Sequence, residues 1–391
     1  MTPAARVQAA IEIVDAVARA ARMGGAPADR LIAEYFAKRR YAGSGDKRAV
    51  RELAYAAIRR AGEVPETGRA ALLGLADERP ELSALFTGEG HAPGPRGLDE
   101  RSATAGLAPE WLLRRLEASE VPDPAALVGR APLDLRVNRL RVSVDEAREA
   151  LRDAEPIAGL PNGLRLPTGT RVPDSLAGSV EVQDAGSQWV VAVLDPQPGE
   201  AVLDLCAGAG GKTLAIAASM ATRGALLATD TDRRRLTQLL PRARLAGAGG
   251  LETRLLDEGR ELAALGDWRG RADAVLIDAP CSGTGTWRRN PEARWRASPE
   301  RLARLTAVQS RLLRLGEAFV QPGGRMTYAV CSVLDEEGPD VVAGFLSGQS
   351  KWVPAEPPAL LAAHVRGPGV RLTPGTTSTD GFFMATLVLA C

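Results

Sequence analysis

The chain is 391 residues long, 45% hydrophobic and 25% charged, with a formal net charge of +1. These values are ordinary for a soluble globular protein of two or three domains. No stretch approaches the roughly 18 consecutive apolar residues of a membrane span, and the amphipathic N-terminus lacks the apolar core of a secretory signal. We therefore expect a cytoplasmic protein that begins with a mature helix and does not enter a membrane.

Residues that bind metals or act as general bases are few. The two histidines, His91 and His364, form no cluster, and no cysteine belongs to a CxxC pair. A metal site and a histidine general base are therefore not expected. The four cysteines are Cys206, Cys281, Cys331 and Cys391. We interpret Cys391, and for the most part Cys206, as small buried hydrophobic residues.

Positive charge is concentrated in two segments. Residues 1–70 contain 13 Lys and Arg against 8 Asp and Glu, and residues 287–314 contain eight Arg against two Glu. Such clustering is typical of surfaces that bind RNA phosphates. The arginines that we expect to contact RNA are Arg288, Arg289 and Arg294. Two tryptophans among the arginines of this segment, Trp287 and Trp295, either stack on RNA bases or pack in the protein.

The pattern of apolar residues changes along the chain and divides it into four segments. Residues 1–88 show helical spacing, and residues 89–106 are rich in Gly and Pro, which indicates a linker. Residues 107–180 mix short alternating runs with helices and predict a small α/β module. In residues 181–391 apolar strands alternate with helices, the pattern of a doubly wound α/β domain that binds ligands at the carboxyl ends of its strands.

A glycine-rich turn follows the first strand of the last domain. A phosphate-binding P-loop would need Gly at Cys206, and a dinucleotide-binding GxGxxG motif would need Gly at Thr213, so both matches are incomplete. A loop for S-adenosylmethionine (SAM) only has to bring backbone close to the methionine moiety, for which Gly210 leaves space. An acidic residue that ends the second strand should hold the ribose; Asp230 fits, and Asp232 is its rival.

Two cysteines follow strand candidates at the same edge of the predicted sheet. Cys281 lies in the sequence Asp278-Ala279-Pro280-Cys281, and Cys331 ends the next major strand. Carbon 5 of cytosine is a poor nucleophile, and addition of a thiolate to carbon 6 makes it able to attack a methyl group. An acid near ring N3, such as Asp278, stabilises the charge that develops there. Spacing alone leaves open which cysteine attacks.

Several motifs carry a family resemblance, namely DLCAGAGGKT, ATDTD, DAPCSGTGTWRRNPEARWR, YAVCSVLDEEG and TDGFF. They resemble motifs of the bacterial 16S rRNA cytosine-5 methyltransferases and their nucleolar relatives, the RsmB/Sun/NOP family. RVNRLRVS and VQDAGSQWV are similar to segments that precede the catalytic domain in that family, and YAGSGDKRAVRELAYAAIRR is similar to its NusB-like helical domain. The resemblance covers most of the chain.

The resemblance implies a role for each motif. Cys331 is then the nucleophile, Cys281 helps to release the product, and Asp278 meets the edge of the cytosine. An acidic residue after the third strand, Asp257 or Glu258, contacts the adenine side of SAM. The other residues that hold SAM are Cys206, Ala207, Gly208, Ala209, Gly210, Gly211, Lys212, Asp230 and again Asp278.

The sequence thus predicts a Rossmann-like class I SAM-dependent methyltransferase domain, preceded by a small α/β module and an all-helical NusB-like domain. The expected activity is methylation of cytosine carbon 5 in RNA, with small-subunit rRNA as substrate, by a monomer without a metal. A methyltransferase for a small molecule or a protein would need neither the basic surface nor the two cysteines. A non-catalytic RNA-binding assembly factor should have lost Cys331 or the glycine loop, and both are present.

Overall fold

The computed structural model describes residues 1–390, which form two compact units. The first unit contains Met1–Gly129 and Thr286–Ser298, and the second contains Arg130–Gly285 and the chain from Pro299 onward. Cys391, which the sequence suggested to be a buried hydrophobic residue, lies outside the described residues. None of the helices formed by residues 1–390 has the length and hydropathy to cross a membrane.

The first unit is helical. Helix α1 begins after Thr2, whose Oγ1 accepts the N–H of Ala5 at 3.2 Å, and it ends at Gly24, which adopts a left-handed φ of 70°. Its buried face includes Val7 and Val14 and packs with the apolar faces of the third and fourth helices. The helices are α1 (Pro3–Met23), α2 (Ala28–Ala37), α3 (Ser44–Arg60), α4 (Gly68–Glu78), α5 (Pro80–Ser83) and α6 (Glu110–Ala118).

The Gly- and Pro-rich segment 89–106 lies on the helical unit. Arg69 Nη2 on α4 donates to Glu100 Oε2 at 2.9 Å, and the N–H of Ala103 donates to the carbonyl oxygen of Ala70 at 2.9 Å. The helical unit therefore continues beyond residue 88, and the segment that we predicted to be a linker is part of it. Gly and Pro kept this segment out of helices, and hydrogen bonds hold it in place.

The segment 286–298 also belongs to the helical unit, and this corrects the expectation that Arg294 contacts RNA. Arg294 has no exposed surface, and its Nη2 donates to the carbonyl oxygens of Ile58 (2.7 Å), Arg59 (3.0 Å) and Ala61 (2.9 Å) at the end of α3. The Arg294 pKa falls only to about 10 on burial, so the side chain stays charged. A guanidinium enclosed by three carbonyl groups is a structural cap and is not available to a phosphate.

The neighbours of Arg294 are buried as well. Trp287 is fully buried, and Trp295 is 5% exposed, with its indole N–H donating to the carbonyl oxygen of Ala61 at 3.1 Å. Arg288 is 6% exposed. Of the two interpretations for the tryptophans, packing is therefore correct, and Arg288 is not a surface charge. Arg289 is half-buried.

The second unit begins with a small antiparallel sheet. Its order is β2-β3-β1-β4, and its buried side includes Leu135 and Leu164 together with Ala147 of the accompanying helix. That helix begins at a capping box, in which Ser143 and Glu146 satisfy each other's backbone N–H groups. The elements are β1 (Leu133–Val137), α7 (Val144–Ala150), β2 (Glu155–Ile157), β3 (Leu160–Leu166) and β4 (Val180–Val182).

The rest of the second unit is a nine-stranded sheet with helices between its strands. Its order is β11-β12-β13-β9-β8-β5-β6-β7, and β10 also pairs with β13. The elements are α8 (Ala185–Leu194), β5 (Ala201–Asp204), α9 (Gly211–Ser219), β6 (Ala225–Asp230), α10 (Arg233–Leu236), α11 (Leu239–Ala246), β7 (Leu251–Leu255), α12 (Glu261–Ala264), β8 (Ala272–Asp278), α13 (Pro299–Glu317), β9 (Val320–Val330), α14 (Pro339–Leu346), β10 (Trp352–Pro354), β11 (Val365–Arg366), β12 (Gly369–Leu372), α15 (Pro374–Thr377) and β13 (Phe382–Leu389).

Strands β5 to β9 are parallel, and β13 runs antiparallel to β9. Both faces of the sheet are covered by apolar side chains. Val202 belongs to the core on one face and its neighbour Leu203 to the core on the other, because successive side chains of a strand point to opposite sides. The carboxyl ends of β5, β6, β8 and β9 therefore lie along one edge of a rigid sheet.

Replacement of Arg294 by Ala should destabilise the protein rather than weaken RNA binding. The change leaves three carbonyl groups without their donor and opens a cavity, which should lower the free energy of unfolding by about 2–4 kcal/mol. Arg48→Ala, at an exposed position of α3, is the control and should change it by less than about 0.5 kcal/mol. Urea unfolding measures both. An Arg294→Ala variant of unchanged stability that binds RNA with a smaller salt dependence would contradict this assignment.

Candidate active site

A cavity of about 540 Å³ opens at the carboxyl edge of the sheet. Its volume lies within the roughly 300–1,000 Å³ usual for small-ligand sites. Both cysteines and two aspartates singled out in the sequence line it: Cys281, Cys331, Asp230 and Asp278. Cys206 lines the cavity too, although burial raises the pKa of its thiol and keeps it unreactive.

The two cysteines lie in contact. Strands β8 and β9 are parallel neighbours with Asp278 opposite Ala329, so the segments that follow them leave the sheet side by side. The sulfur atoms of Cys281 and Cys331 are 3.3 Å apart. The hydrogen bond with Cys331, followed by burial, raises the pKa of the Cys281 thiol well above its ordinary value. Cys281 is therefore held as a neutral thiol that can donate to the sulfur of Cys331.

A lysine and an aspartate form an ion pair between the glycine loop and the cysteines. Lys212 Nζ lies 2.7 Å from Asp278 Oδ2. Burial alone lowers the pKa of Lys212, but the charge of Asp278 and this hydrogen bond outweigh it and raise the pKa above its usual value. The pair therefore presents a fixed ammonium and a fixed carboxylate at the cavity, where Asp278 is part of the wall.

A buried carboxylate holds the loop that carries Cys281. Glu337 is completely buried, and its carboxylate accepts the backbone N–H of Ser282 at 2.8 Å and the Ser282 hydroxyl. Gln309 of α13 donates through Nε2 to Glu337 Oε1 at 3.1 Å and to the carbonyl oxygen of Pro280 at 2.9 Å. The residues before and after Cys281 are thus both fixed. Neither Glu337 nor Gln309 was predicted as a site residue.

The glycine-rich loop has its own anchors. Asp230 Oδ2 accepts the N–H of Gly208 at 2.7 Å, and Asp230 Oδ1 accepts the N–H of Asp232 at 2.7 Å. Each carboxylate oxygen can accept more than one hydrogen bond, so Asp230 remains able to bind ribose hydroxyls. Asp232 caps α10 through bonds to the N–H groups of Arg234 (2.8 Å) and Arg235 (3.2 Å). Asp232 also lines the cavity, and both of its capping bonds are accepted by Oδ1, so the choice between Asp230 and Asp232 as ribose ligand stays a prediction.

Gly210 is required for a different reason from the one expected. It adopts a φ of 90°, and a Cβ atom on it would collide with the Leu239 side chain. Its lack of a side chain thus serves backbone conformation and packing on Leu239, and does not by itself leave space for the methionine moiety. Open space lies instead at Gly211, where a Cβ atom would meet only Gln183 Nε2, at 3.7 Å.

The remaining predicted loop residues surround this turn. Ala207 donates its N–H to the carbonyl oxygen of Thr229 at 2.8 Å, and the carbonyl oxygen of Ala209 accepts a hydrogen bond from Arg242. Residues Ala207–Lys212 do not line the cavity. Both acidic candidates after the third strand are exposed; Glu258 lines the cavity and Asp257 does not.

Three further cavity residues were not predicted as part of a cofactor site. Glu261 is 4% exposed and pairs with Arg311 at 2.6 Å, and Arg301 stands nearby on the same helix as Arg311. Both arginines belong to the basic segment of the sequence. Because Arg301 and Arg311 lie close to Arg294 in the sequence, the sequence did not reveal that these two arginines line the cavity.

These residues fit SAM. The cavity combines an apolar wall from Leu256, Leu305 and Val308 with carboxylates at Asp230 and Glu258, donors and acceptors suited to a nucleoside. The free first turn of α9 at Gly211 offers backbone N–H groups to a carboxylate. The residues that could hold the cofactor are therefore Asp230, Glu258 and the loop before α9.

The fold and the site together define a class. A parallel sheet ordered β7-β6-β5-β8-β9, extended by the antiparallel β13 and carrying a glycine-rich loop after β5, is the Rossmann-like fold of class I SAM-dependent methyltransferases. The chain belongs to the 16S rRNA methyltransferase RsmB/F family, whose sequence pattern matches residues 191–388.

Individual relatives agree with this family. A ribosomal RNA small subunit methyltransferase B from Citrobacter koseri is 37% identical over 297 residues, which cover 72% of this chain and 66% of the relative. A probable ribosomal RNA small subunit methyltransferase B from Synechocystis is 33% identical over 309 residues, with coverage of 71% and 66%. The chain therefore spans 66% of the length of these relatives.

Solved structures share the fold. The crystal structure of PH0851 superposes with a TM-score of 0.78 at 23% identity and covers 99% of both chains. NSun6 from Pyrococcus horikoshii, solved with SFG, superposes with a TM-score of 0.61 at 18% identity, over 70% of this chain and 94% of that one.

Replacement of Glu337 by Gln should expose and activate the Cys281 thiol. Gln offers one carbonyl oxygen where the carboxylate accepts three donors, and the negative charge that helps to raise the Cys281 pKa is lost. We expect Cys281 to be alkylated by iodoacetamide about three to ten times faster at pH 8, since the thiolate is the reactive form. Peptide mass spectrometry measures the rate for each cysteine. Asp340→Asn, at an exposed position on α14, is the control; an unchanged Cys281 rate in Glu337→Gln would show that Glu337 does not hold the loop.

Asp204 should make stability fall as pH rises. Complete burial raises its pKa to about 7 despite a hydrogen bond from Thr213, so between about pH 4 and pH 7 the native state keeps a proton that the unfolded chain releases. The penalty is absent below pH 4 and complete above pH 7, and is on the order of 1–4 kcal/mol. Asp204→Asn should remove it, so unfolding of wild type and variant should diverge in favour of the variant from pH 5 to pH 8. A difference that is independent of pH would mean that Asp204 does not titrate in this range.

Proposed function

We propose that the protein transfers the methyl group of SAM to carbon 5 of a cytosine in RNA, with small-subunit ribosomal RNA as its substrate. The observation that carries the proposal is the contact of 3.3 Å between the sulfur atoms of Cys281 and Cys331 in the cavity. A methyltransferase acting on an oxygen or nitrogen atom needs no thiol at all, whereas carbon 5 of a pyrimidine needs one to add and then leave. Membership of the 16S rRNA methyltransferase family supports the RNA substrate.

Cys331 is the nucleophile in this proposal. Its sulfur adds to carbon 6 of the cytosine, and the neutral Cys281 thiol lies within hydrogen-bond distance of that sulfur. When bound, SAM supplies the electrophilic methyl group. The assignment of attack to Cys331 follows the family resemblance, and the geometry is compatible with it because the two sulfur atoms are adjacent.

Asp278 and Lys212 act on the other side of the base. The ring gains negative charge toward N3 as the thiolate adds, and a group that donates a proton or a hydrogen bond there lowers the barrier. The ion pair between Lys212 Nζ and Asp278 Oδ2 fixes both groups, so that the Asp278 carboxylate meets the cytosine edge as an acceptor for its amino group, and the Lys212 ammonium is the donor for the charge that develops toward N3. Fixed groups of this kind need no reorganisation during the reaction.

Cys281 acts after methyl transfer. At that stage the proton on carbon 5 must leave, and the bond between Cys331 and carbon 6 must break. Cys281 lies beside the Cys331 sulfur and is held on both sides by the Glu337 and Gln309 contacts. Its thiol can therefore pass its proton to the departing Cys331 sulfur, and the thiolate left on Cys281 can take the proton from carbon 5. Product release therefore depends on Cys281, whereas attack does not.

The other assignments belong to the same proposal. Asp230, Glu258 and the loop from Cys206 to Lys212 hold the cofactor, and the domain from residue 181 onward carries the catalysis. The protein acts as a monomer in the cytoplasm, where bacterial ribosomal RNA is modified. It uses no metal, since thiols, a carboxylate and a sulfonium methyl group suffice for the chemistry.

The two cysteines should give opposite results when each is replaced by Ala. Cys331→Ala should lose methyl transfer and form no covalent adduct, because nothing adds to carbon 6. Cys281→Ala should still attack and methylate but release product poorly, so it should accumulate as a protein–RNA complex that survives denaturation. The experiment incubates each variant with transcribed 16S rRNA and radiolabelled SAM and separates the products on a denaturing gel.

Cys206→Ala is the control for the loss of a thiol from the same cavity; it should form no lasting adduct. An adduct in Cys331→Ala and none in Cys281→Ala would reverse the roles of the two cysteines. No methylated cytosine with the wild-type protein on either naked rRNA or ribosomal particles would overturn the proposed function.

A further inference from the structure

Two buried hydroxyl groups join the segments that carry the thiols. Thr284 lies three residues after Cys281 and is 1% exposed, and Ser332 directly follows Cys331 and is completely buried. Thr284 Oγ1 and Ser332 Oγ are 2.8 Å apart, the usual length of a hydrogen bond between hydroxyl groups. These two residues, the hydroxyl pair, therefore connect the segment after β8 with the segment after β9.

Each member of the hydroxyl pair also accepts a hydrogen bond from the backbone after β9. The N–H of Val333 donates to Thr284 Oγ1 at 3.1 Å, and the N–H of Leu334 donates to Ser332 Oγ at 3.2 Å. Loss of the Thr284 hydroxyl alone would thus leave the Val333 N–H and the Ser332 hydroxyl without this partner. Unmade hydrogen bonds of buried groups are costly, so the segments would have to move.

The hydroxyl pair lies closer to Cys331 than the other side-chain contact between the two segments does. Glu337 binds Ser282, but Glu337 stands six residues beyond Cys331. The contact nearest to the hydroxyl pair is a backbone bond, from the N–H of Gly285 to the carbonyl oxygen of Cys331 at 3.1 Å. Of the side chains that join the two segments, the hydroxyl pair therefore controls the place of Cys281 against Cys331 most directly.

We propose that Thr284 is a positioning residue for the thiols: through Ser332 it keeps the sulfur atoms of Cys281 and Cys331 in contact. The proposal rests on the proposed function, in which the Cys281 thiol passes its proton to the departing Cys331 sulfur. Proton transfer requires an approach to hydrogen-bond distance, so a small shift of one segment slows the release of product. Neither member of the hydroxyl pair lines the cavity, so the pair acts through the thiols and not on the base.

A second hydroxyl pair in the same domain supplies a matched control. Thr327 Oγ1 and Thr386 Oγ1 are also 2.8 Å apart, and Thr327 is completely buried. They join β9 to β13 within the sheet, where the two residues lie opposite each other. Thr327→Val removes a contact of the same kind and length from the sheet, so it measures the effect of lost stability alone.

The first measurement needs no RNA. Phenylarsine oxide bonds two neighbouring thiols through its arsenic atom and releases one water molecule, and peptide mass spectrometry identifies the bridged cysteines. Thr284→Val should bridge Cys281 to Cys331 about two to ten times more slowly than the wild-type protein, the effect of one or two lost hydrogen bonds. Thr284→Ser, which keeps the hydroxyl, and Thr327→Val should both stay within about twofold of the wild-type rate.

The second measurement follows turnover on transcribed 16S rRNA with radiolabelled SAM. Thr284→Val should still attack and methylate but release the product slowly, so a protein–RNA complex that survives denaturation should reach about two to ten times the wild-type level. Thr284→Ser and Thr327→Val should not accumulate it. Ser332→Ala removes the other member of the hydroxyl pair and takes the place of Thr284→Val if that variant fails to fold.

The outcomes separate positioning from a purely structural role. Bridging at the wild-type rate in folded Thr284→Val, or equal losses in Thr284→Val and Thr327→Val, would overturn the proposal. Slow bridging in Thr284→Ser would overturn it too, since that variant keeps the hydroxyl, and so would slow bridging in Thr284→Val without build-up of the complex when the wild-type protein methylates RNA. Absence of cytosine methylation by the wild-type protein would overturn the proposed function instead, and the bridging rates would still decide whether Thr284 positions the thiols.

Discussion

The parallel pairing of β8 with β9 is the constraint on which the proposed chemistry depends. Because Asp278 lies opposite Ala329, the two segments that leave these strands carry Cys281 and Cys331 to a sulfur–sulfur distance of 3.3 Å. A shift of one residue in either strand would turn a cysteine toward the other face of the sheet. The register is held by the apolar cores on both faces, so thiols 50 residues apart in sequence meet without a flexible element.

Buried polar groups then fix what the sheet brings together. Glu337 and Gln309 bind the residues on either side of Cys281, and Asp278 is bound by Lys212. Satisfied networks of this kind are rigid, and each of them would be costly if one partner were removed. Two buried atoms are exceptions, namely Gln309 Oε1 and one carboxylate oxygen of Asp204, which form no hydrogen bond; burial raises the pKa of Asp204 to about 7. The site therefore combines fixed charges at the cavity with one buried acid at the end of β5.

The sequence predicted those parts of the molecule that follow from strand ends and local motifs. The alternation of apolar strands and helices predicts a Rossmann-like sheet, which the structure confirms, and parallel strands carry Asp230, Asp278 and both cysteines to one edge. It could not predict Glu337, because that carboxylate binds Ser282 across 55 residues and Gln309 across 28, and an acidic residue before a helix usually caps it. Spacing in the sequence also could not distinguish Asp257 from Glu258, the two carboxylates after β7, of which Glu258 lines the cavity and Asp257 does not.

The arginines of residues 288–311 were misleading for a related reason. A linear cluster of charge predicts a surface, but Arg294 is enclosed by the carbonyl groups at the end of α3, and Arg311 pairs with Glu261 at the cavity. Conversely, Arg136 lies in a strand whose sequence pattern is that of ordinary β structure, although its guanidinium is buried and forms no ion pair among residues 1–390. Long side chains can reach partners from several directions, so their roles depend on tertiary contacts that periodicity does not encode.

The most direct test of the central claim is to identify the atom of the protein that bonds to the base. A 16S rRNA transcript that contains 5-fluorocytosine cannot lose the substituent on carbon 5 after methyl transfer, so the wild-type protein with SAM should stop as a covalent complex. Digestion and mass spectrometry should then find the nucleotide on the peptide that contains Cys331. A nucleotide on Cys281, or no covalent complex with RNA that the wild-type protein demonstrably binds, would contradict the account.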